Sequence, residues 1–136
     1  MDQQVQRKRP RVLLADDHMA VTQRVGLLLQ SLFEVVGTVS TGCDMVREGL
    51  RLKPDVIVAD ISMTDISGIE AAHRLRARGS LAKVVFLTIH SEGEFIDACM
   101  AEGALGYVVK THMGTDLIPA INAALSGRLF VSRIQG

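Results

Sequence analysis

Several features that would place a protein outside the cytoplasm are missing from this sequence. Only two cysteines occur in the 136 residues, Cys43 and Cys99, and they lack the spacing of metal-binding thiols. The first residues do not resemble an apolar secretory signal, and no apolar run approaches the ~20 residues needed to span a bilayer. We therefore expect a reduced, cytoplasmic protein.

An excess of charge of either sign is missing as well. Lysine and arginine together number 15, and so do aspartate and glutamate, so the net charge gives no general hint of a nucleic-acid or membrane partner. Residues 1–10 are polar, contain Arg7, Lys8 and Arg9, and end in Pro10, so we expect a disordered basic leader. Any electrostatic function must therefore be local.

The sequence does contain a regular alternation of β-rich apolar runs and segments of helical period. The length fits one domain by the prior of ~150 residues per domain, and the hydrophobic content of 48% is sufficient for a packed core. The apolar runs predict five strands, near residues 12–15, 34–39, 55–59, 83–88 and 105–109. The helices are predicted after the first strand, between residues 42 and 54, and at 67–78, 92–101 and 115–126.

This alternation of strands and helices is typical of an α/β fold with a parallel sheet. The first, third and fourth strands are apolar at nearly every position, which indicates helices on both faces, whereas the second is weaker and predicted to lie at an edge. We predict a doubly wound (βα)5 flavodoxin-like sandwich with strand order 2-1-3-4-5. Its switch point lies between the first and third strands.

Polar side chains stand at the ends of four of the predicted strands. The carboxyl ends of parallel strands form one edge, where open α/β sheets bind ligands, so we expect these side chains to converge. Three carboxylates, a hydroxyl and an ammonium there suggest a divalent cation and a phosphoryl group. They belong to Asp16 and Asp17, Asp60, Thr88 and Lys110.

The chemistry of this cluster predicts a metal and a nucleophile. Carboxylates 4 Å apart repel each other by about 4 kcal/mol at an effective dielectric near 20. Lys110 offsets one charge and a divalent cation offsets two; oxygen ligands favour Mg²⁺, for which Mn²⁺ can substitute. Asp60 stands alone at the end of the central strand and is our choice of nucleophile toward phosphorus, whereas Asp16 and Asp17 form a metal-holding pair. Lys110 and the metal would stabilise the transferred group, and Thr88 would donate its hydroxyl to it.

Each of these residues also has a purely structural explanation. Asp16 or Asp17 could cap the first helix, Thr88 could cap the fourth, and Lys110 could be a solvated charge. The combination of suitable residue types at four strand ends is much harder to obtain by chance.

At these residues the chain resembles the receiver domain of two-component response regulators, over about residues 11–127. The segments that carry the resemblance are residues 12–18, residues 54–63 with Gly68, Thr88, and residues 102–110. The Asp-Asp-His opening, the Glu-Gly-Ala-Leu-Gly-Tyr stretch and residues 126–132 are similar to the NarL/FixJ subfamily. Members of that group usually carry a LuxR-type helix-turn-helix domain, so we expect residues 128–136 to begin a linker to an output domain absent from this chain, and DNA contact only through that domain.

The resemblance implies that Asp60 accepts phosphate from a phosphohistidine of a sensor histidine kinase. The chain would then be a regulatory phosphoacceptor capable of self-dephosphorylation only, and not an enzyme. Mg²⁺ would be held by Asp17, Asp60 and the backbone carbonyl of Ser62, with Asp16 binding it directly or through water.

Thr88 and Tyr107 would be the switch pair, altering the face of the fourth helix, fifth strand and fifth helix. That face, or the one near the first and fifth helices, could also pair two copies as a homodimer. Ser62, Ile89 and His90 lie where family members tune the phosphate lifetime, and bulky Ile89, in place of a small residue, is expected to crowd the phosphoryl site.

The histidines are given lesser roles. His90 is read as a solvent-facing loop residue rather than a catalytic base, because a histidine must reach the attacking water to act. His18, His73 and His112 are scattered along the chain and are assigned no metal.

Two other functional classes remain open. One is a phosphate-independent pseudo-receiver that kept the fold as an interaction module. The other is a phosphatase of the haloacid dehalogenase type, whose nucleophile normally has an aspartate two positions later, where Asp60 is followed by Ser62 and Asp16 by His18. A nucleotide-binding domain is less consistent with the sequence, because no glycine-rich loop follows the first strand.

Overall fold

In the part of the chain that the structure describes, five parallel strands lie where the apolar runs predict them. They are β1 (Arg11–Ala15), β2 (Glu34–Val39), β3 (Val56–Ala59), β4 (Lys83–Thr88) and β5 (Gly106–Val109). A short sixth strand, β6 (Phe130–Val131), pairs with β5, so the sheet order is β2-β1-β3-β4-β5-β6. The predicted doubly wound fold and the edge position of β2 are confirmed.

The computed structural model describes residues 9–90 and 93–133, without the side chain of residue 94. Residues 1–8 of the expected leader, residue 92 at the expected start of the fourth helix, and residues 134–136 of the expected linker lie outside the described residues. No helix among the described residues is long and apolar enough to span a bilayer.

Among the described residues five helices connect the strands, and local sequence signals set several of their ends. They are α1 (Met19–Leu29), α2 (Gly42–Leu52), α3 (Gly68–Ala77), α4 (Gly93–Ala101) and α5 (Met113–Leu125), with a 3₁₀ turn at Lys110–His112 before α5. The hydroxyl of Thr41 accepts from the Asp44 amide at the start of α2, and Ser67 caps α3 in the same way. Gly79 and Gly103, just after α3 and α4, have φ of 86° and 79°, the left-handed conformation in which glycine commonly ends a helix.

The core has two layers, one on each face of the sheet. Val12 and Leu14 of β1 face the layer that contains α1 and α5, whereas Leu13 and Ala15 face the layer that contains α2 and α3. Successive side chains of a strand point to opposite faces, so a strand buried on both sides is apolar throughout. Helices on both faces were predicted from this property.

The sixth strand was not predicted, because its position depends on contacts made after folding. It falls within the segment expected to begin a linker, and it is only two residues long. The adjoining Ser132 is 2% exposed. Its hydroxyl donates to Asp116 Oδ2 over 2.7 Å and accepts from the Val109 amide over 3.1 Å. These partners lie 16 and 23 residues away, so no local pattern reveals them.

Candidate functional site

Strand register brings the predicted polar residues to one edge of the sheet. Ala15 of β1 is opposite Ala59 of β3, so Asp16 and Asp60 leave the sheet side by side. The amide of Asp60 donates to the carbonyl of Ala15 over 2.8 Å, which fixes the two loops relative to each other. Asp16 and Asp60 are 6% and 3% exposed, so both carboxylates are held away from bulk water.

Lys110 extends from the end of β5 to both buried acids. Its Nζ lies 2.9 Å from Asp16 Oδ2 and 3.2 Å from Asp60 Oδ2, and its side chain is 10% exposed. Thr88 of β4 is opposite Val109 of β5, which places Lys110 just beyond the paired strands. The lysine is therefore a largely shielded counter-charge to the two acids, and not the solvated charge of its structural explanation.

Burial and charge perturb both partners of the Asp60–Lys110 pair. Burial raises the pKa of Asp60, the charge of Asp16 raises it further, and the nearby ammonium of Lys110 partly opposes this. Burial by itself lowers the pKa of Lys110, but its contacts with Asp16 and Asp60 raise that pKa overall. Lys110 is thus held charged, and added positive charge near Asp60 would favour the ionised form of its carboxyl.

A third acid and a histidine complete the group. One ligand atom each from Asp16, Asp17, His18 and Asp60 lies within 4.8 Å of the others. The Nδ1 atom of His18 is 2.9 Å from Asp16 Oδ1, 3.1 Å from Asp17 Oδ1 and 3.8 Å from Asp60 Oδ2. From the sequence we expected no metal-binding role for His18. It is the N-cap residue of α1, and its side chain turns back onto the acids instead of capping the helix.

The donor set fits a divalent cation. Three carboxylates and one ammonium carry a net charge of about −2 when all are ionised, which a dication neutralises. The buried Asp16 Oδ2 accepts no well-aligned hydrogen bond from the described residues, although the Lys110 ammonium lies close enough for an ion pair. Oxygen ligands of this kind suit Mg²⁺.

The loop after β3 is fixed by contacts with the start of α2. The carboxylate of Asp65 accepts hydrogen bonds from the amides of Gly42 and Cys43, over 2.7 and 2.9 Å. Hydrogen bonds from the Cys43 thiol and from backbone amides hold the pKa of Asp65 well below its usual range. A Cβ atom on Gly42 would lie 2.5 Å from the Ile66 carbonyl oxygen, so only glycine fits there. Asp65 was missed from the sequence because its partners lie more than 20 residues away.

The loop after β4 borders the other side of the site. Thr88 is fully buried, and its hydroxyl accepts from the His90 amide over 3.1 Å. The His90 ring stacks on Phe95 with centroids 4.3 Å apart, and its Nε2 lies 3.2 Å from Ser62 Oγ. His90 therefore joins the loops after β3 and β4 instead of facing solvent alone.

The remaining predicted site residues differ in their burial and in their contacts. Tyr107 is fully buried and its hydroxyl donates to the His90 carbonyl. The Ser62 amide approaches Asp60 Oδ1 at 3.4 Å, a long hydrogen bond. Ile89 is 72% exposed, so its side chain is directed mainly into solvent. The side chain that was expected to crowd the phosphoryl site is therefore largely open to solvent, in the bend that follows β4.

Comparison with known proteins identifies the family. The family model of the response regulator receiver domain matches residues 12–122. The transcriptional regulatory protein LiaR of Bacillus subtilis (strain 168) is 35% identical over 119 residues, which cover 86% of this chain and 56% of LiaR. Response regulator UvrY of Escherichia coli (strain K12) is 32% identical over 123 residues, which cover 89% of this chain and 56% of UvrY. The chain spans a little over half the length of these relatives.

Solved structures agree with this assignment. A two-component response regulator of the LuxR family from Aurantimonas sp. SI85-9A1 has a TM-score of 0.87 at 29% identity, covering 92% of this chain and 91% of that one. The isolated REC domain of RcsB from Salmonella enterica serovar Typhimurium shares the fold, with a TM-score of 0.84 at 23% identity over 93% of this chain and 95% of that one. The resemblance to receiver domains, including the LuxR-type group, is confirmed, and the chain belongs to the family of response regulator receiver domains.

Proposed function

We propose that the chain is the phosphoacceptor of a response regulator, in which Asp60 takes a phosphoryl group from a phosphohistidine of a sensor histidine kinase. The observation that carries this proposal is the contact between buried Asp60 and the Lys110 ammonium, 3.2 Å apart, beside two more acids. A simple structural ion pair would need neither Asp16 nor Asp17. A carboxylate that attacks phosphorus must approach negatively charged phosphate oxygens, so it needs cations nearby. Lys110 is one such cation, and Asp16 and Asp17 could hold a metal ion as another.

The metal in this reaction would be Mg²⁺, or Mn²⁺ in its place. Asp16, Asp17, Asp60 and the backbone carbonyl of Ser62 would hold it, and it would supply charge that stabilises phosphate oxygens. The pKa of Asp60 is raised by burial, so added positive charge also keeps this carboxylate ionised and nucleophilic.

Side chains of this chain would carry out the phosphoryl transfer and stabilise the transferred group. A carboxylate oxygen of Asp60 forms a bond to phosphorus while the bond from phosphorus to the donor's histidine nitrogen breaks. Lys110 is close enough to donate a hydrogen bond to a phosphoryl oxygen on Asp60. Thr88 would turn its hydroxyl from the His90 amide to another phosphoryl oxygen. Water then hydrolyses the acyl phosphate, at a rate that Ser62, Ile89 and His90 would tune.

Phosphorylation would alter the face formed by α4, β5 and α5. The movement of Thr88 would free the His90 amide, and His90 also accepts from the Tyr107 hydroxyl through its carbonyl. A change at Thr88 therefore reaches Tyr107 through a single residue. We propose a receiver over residues 11–127, a linker that starts at residue 128, and DNA contact only through an output domain of the longer protein, with a homodimer as one mode of response.

The test is intact mass after incubation with acetyl phosphate and Mg²⁺. The wild-type chain is expected to gain one phosphate, and Asp60→Asn, which keeps the shape of the side chain, none. Asp97→Asn, at an exposed position on α4, is the matched control and should gain one phosphate. No gain by the wild type would favour the pseudo-receiver. Sustained hydrolysis of unrelated phosphomonoesters beyond one equivalent would favour the phosphatase.

A further inference from the structure

Ser132, the residue after β6, joins the two segments on either side of Lys110. Ser132 is buried, and its hydroxyl accepts from the Val109 amide over 3.1 Å and donates to Asp116 Oδ2 over 2.7 Å. Val109 directly precedes Lys110, and Asp116 lies in the first turn of α5, which begins just after the 3₁₀ turn Lys110–His112. The Ser132 hydroxyl therefore bridges the two ends of the short segment that carries the lysine.

On the side of β5, this hydroxyl takes the place of a missing backbone partner. The Ser132 amide donates to the Tyr107 carbonyl over 2.8 Å, and the pairing of β6 with β5 ends where Val131 is opposite Tyr107. The Val109 amide lies beyond that pairing and donates to the side chain of Ser132. A buried amide without an acceptor is unfavourable, so loss of the hydroxyl would release the end of β5 that leads into Lys110.

On the side of α5, the carboxylate that accepts from Ser132 is tied to the turn that contains Lys110. The Thr115 hydroxyl lies 3.2 Å from the His112 carbonyl oxygen and 3.1 Å from Asp116 Oδ1. The Nδ1 atom of His112 is 3.9 Å from Asp116 Oδ2. A displacement of Asp116 would therefore reach the end of the turn that begins at Lys110.

The position of the lysine backbone matters because its side chain is long and flexible. Its Nζ atom is held 2.9 Å from Asp16 Oδ2 and 3.2 Å from Asp60 Oδ2. In the proposed transfer this ammonium must meet the oxygens of the phosphoryl group as it reaches Asp60. A misplacement of about 1 Å in a reacting geometry can lower a rate about 100-fold, even when the altered residue is far from the chemistry.

We propose that Ser132 is a positioning residue for phosphoryl transfer to Asp60. Its contacts with Val109 and Asp116 fix the backbone at Lys110, and the lysine ammonium is thereby held where the phosphoryl group arrives. This inference rests on the proposed function, because it concerns the same reaction. The family model ends at residue 122, so the inference gives a part in the reaction to a residue outside the matched segment.

The experiment is a double-mutant cycle between Ser132 and Lys110. The rate of phosphate gain from acetyl phosphate and Mg²⁺ is followed by intact mass in the wild type, Ser132→Ala, Lys110→Met and the double variant. We expect Ser132→Ala to lower the rate about tenfold. In the Lys110→Met background the same change should alter the rate by less than about twofold, because no ammonium is left to position. Ser126→Ala, at an exposed serine near the end of α5, is the matched control and should react like the wild type.

Two further measurements separate positioning from a general loosening of the fold. Calorimetric Mg²⁺ affinity should not fall in Ser132→Ala, because the acids that would hold the ion are unchanged, whereas a loosened site would bind Mg²⁺ more weakly. Asp116→Ala removes the other partner of the hydroxyl and should lower the rate in the same direction. Asp116→Asn keeps an acceptor oxygen for Ser132 and should restore most of the rate.

The outcomes distinguish this inference from the proposed function. An unchanged rate in Ser132→Ala, an equal fall with and without Lys110, or a Mg²⁺ affinity that falls together with the rate would overturn the positioning role. The proposed function survives each of these results as long as the wild type gains phosphate on Asp60. A wild type that gains no phosphate would overturn both.

Discussion

Replacing Lys110 with methionine should expose the electrostatic cost of the acidic cluster. At an effective dielectric near 20, an ammonium 3.2 Å from Asp60 and 2.9 Å from Asp16 attracts these carboxylates by about 5 and about 6 kcal/mol. These attractions are opposed by the cost of burying the charges. The net loss expected when one partner of a buried pair is removed is about 3 kcal/mol of the free energy of unfolding.

The pH dependence of this loss follows from the pKa of Asp60. In the wild type that pKa is already raised from 3.8 by burial, and Lys110 works against the increase. A carboxyl with a higher pKa in the folded chain binds more protons when folded, so stability falls as the pH rises from the unfolded value through the folded one. Without Lys110 the folded pKa rises further. The fall in stability is then larger and extends to higher pH.

The assay is urea unfolding followed by circular dichroism in EDTA, at about pH 5 and about pH 7.5. Lys110→Met should differ from the wild type more at the higher pH. Lys83→Met is the matched control, because Lys83 is exposed at the start of β4, at the opposite end of the strands from the site. Equal stabilities of the two variants, or parallel pH profiles for Lys110→Met and the wild type, would refute the reasoning.

Two further substitutions test contacts that join distant segments. Asp65→Ala removes the acceptor of two backbone amides at the start of α2, so we expect a loss of about 1–2 kcal/mol in urea unfolding and weaker Mg²⁺ binding by calorimetry, because the loop after β3 is released. Asp97→Ala, at an exposed position on α4, should leave Mg²⁺ binding intact, and equal Mg²⁺ affinities for both variants would contradict the idea. Ser132→Ala leaves the Val109 amide without its hydroxyl acceptor, so hydrogen exchange at Val109 should accelerate. Ser126→Ala should not change this rate; an unchanged rate in Ser132→Ala would mean that β6 does not protect β5.

The fold was predictable because its signals are local. A strand buried on both faces is apolar at every position, and Val56–Ala59 shows this in four consecutive residues. The convergence of Asp16, Asp60 and Lys110 was also predictable, because the carboxyl ends of parallel strands share an edge whatever the loops do.

The features that escaped prediction depend on contacts between distant residues. Strand β6 has two residues and is anchored by Ser132 through partners far along the chain. The orientation of the His18 ring depends on how α1 leaves the sheet. The exposure of Ile89 depends on the course of the bend that follows β4, which the apolar pattern of the strand does not reveal.

The cluster itself shows how stability and chemistry compete in this fold. Replacing a buried ion pair with apolar residues of similar volume is often neutral or stabilising, so Asp16, Asp60 and Lys110 are not the residues that stability alone would favour. Asp17 adds a further negative charge to the same edge, and the described side chains provide only one buried ammonium to balance it. The stability of the folded chain alone therefore does not explain the excess of negative charge. A positively charged ligand explains it, and a metal ion held by these acids would also attract phosphate oxygens.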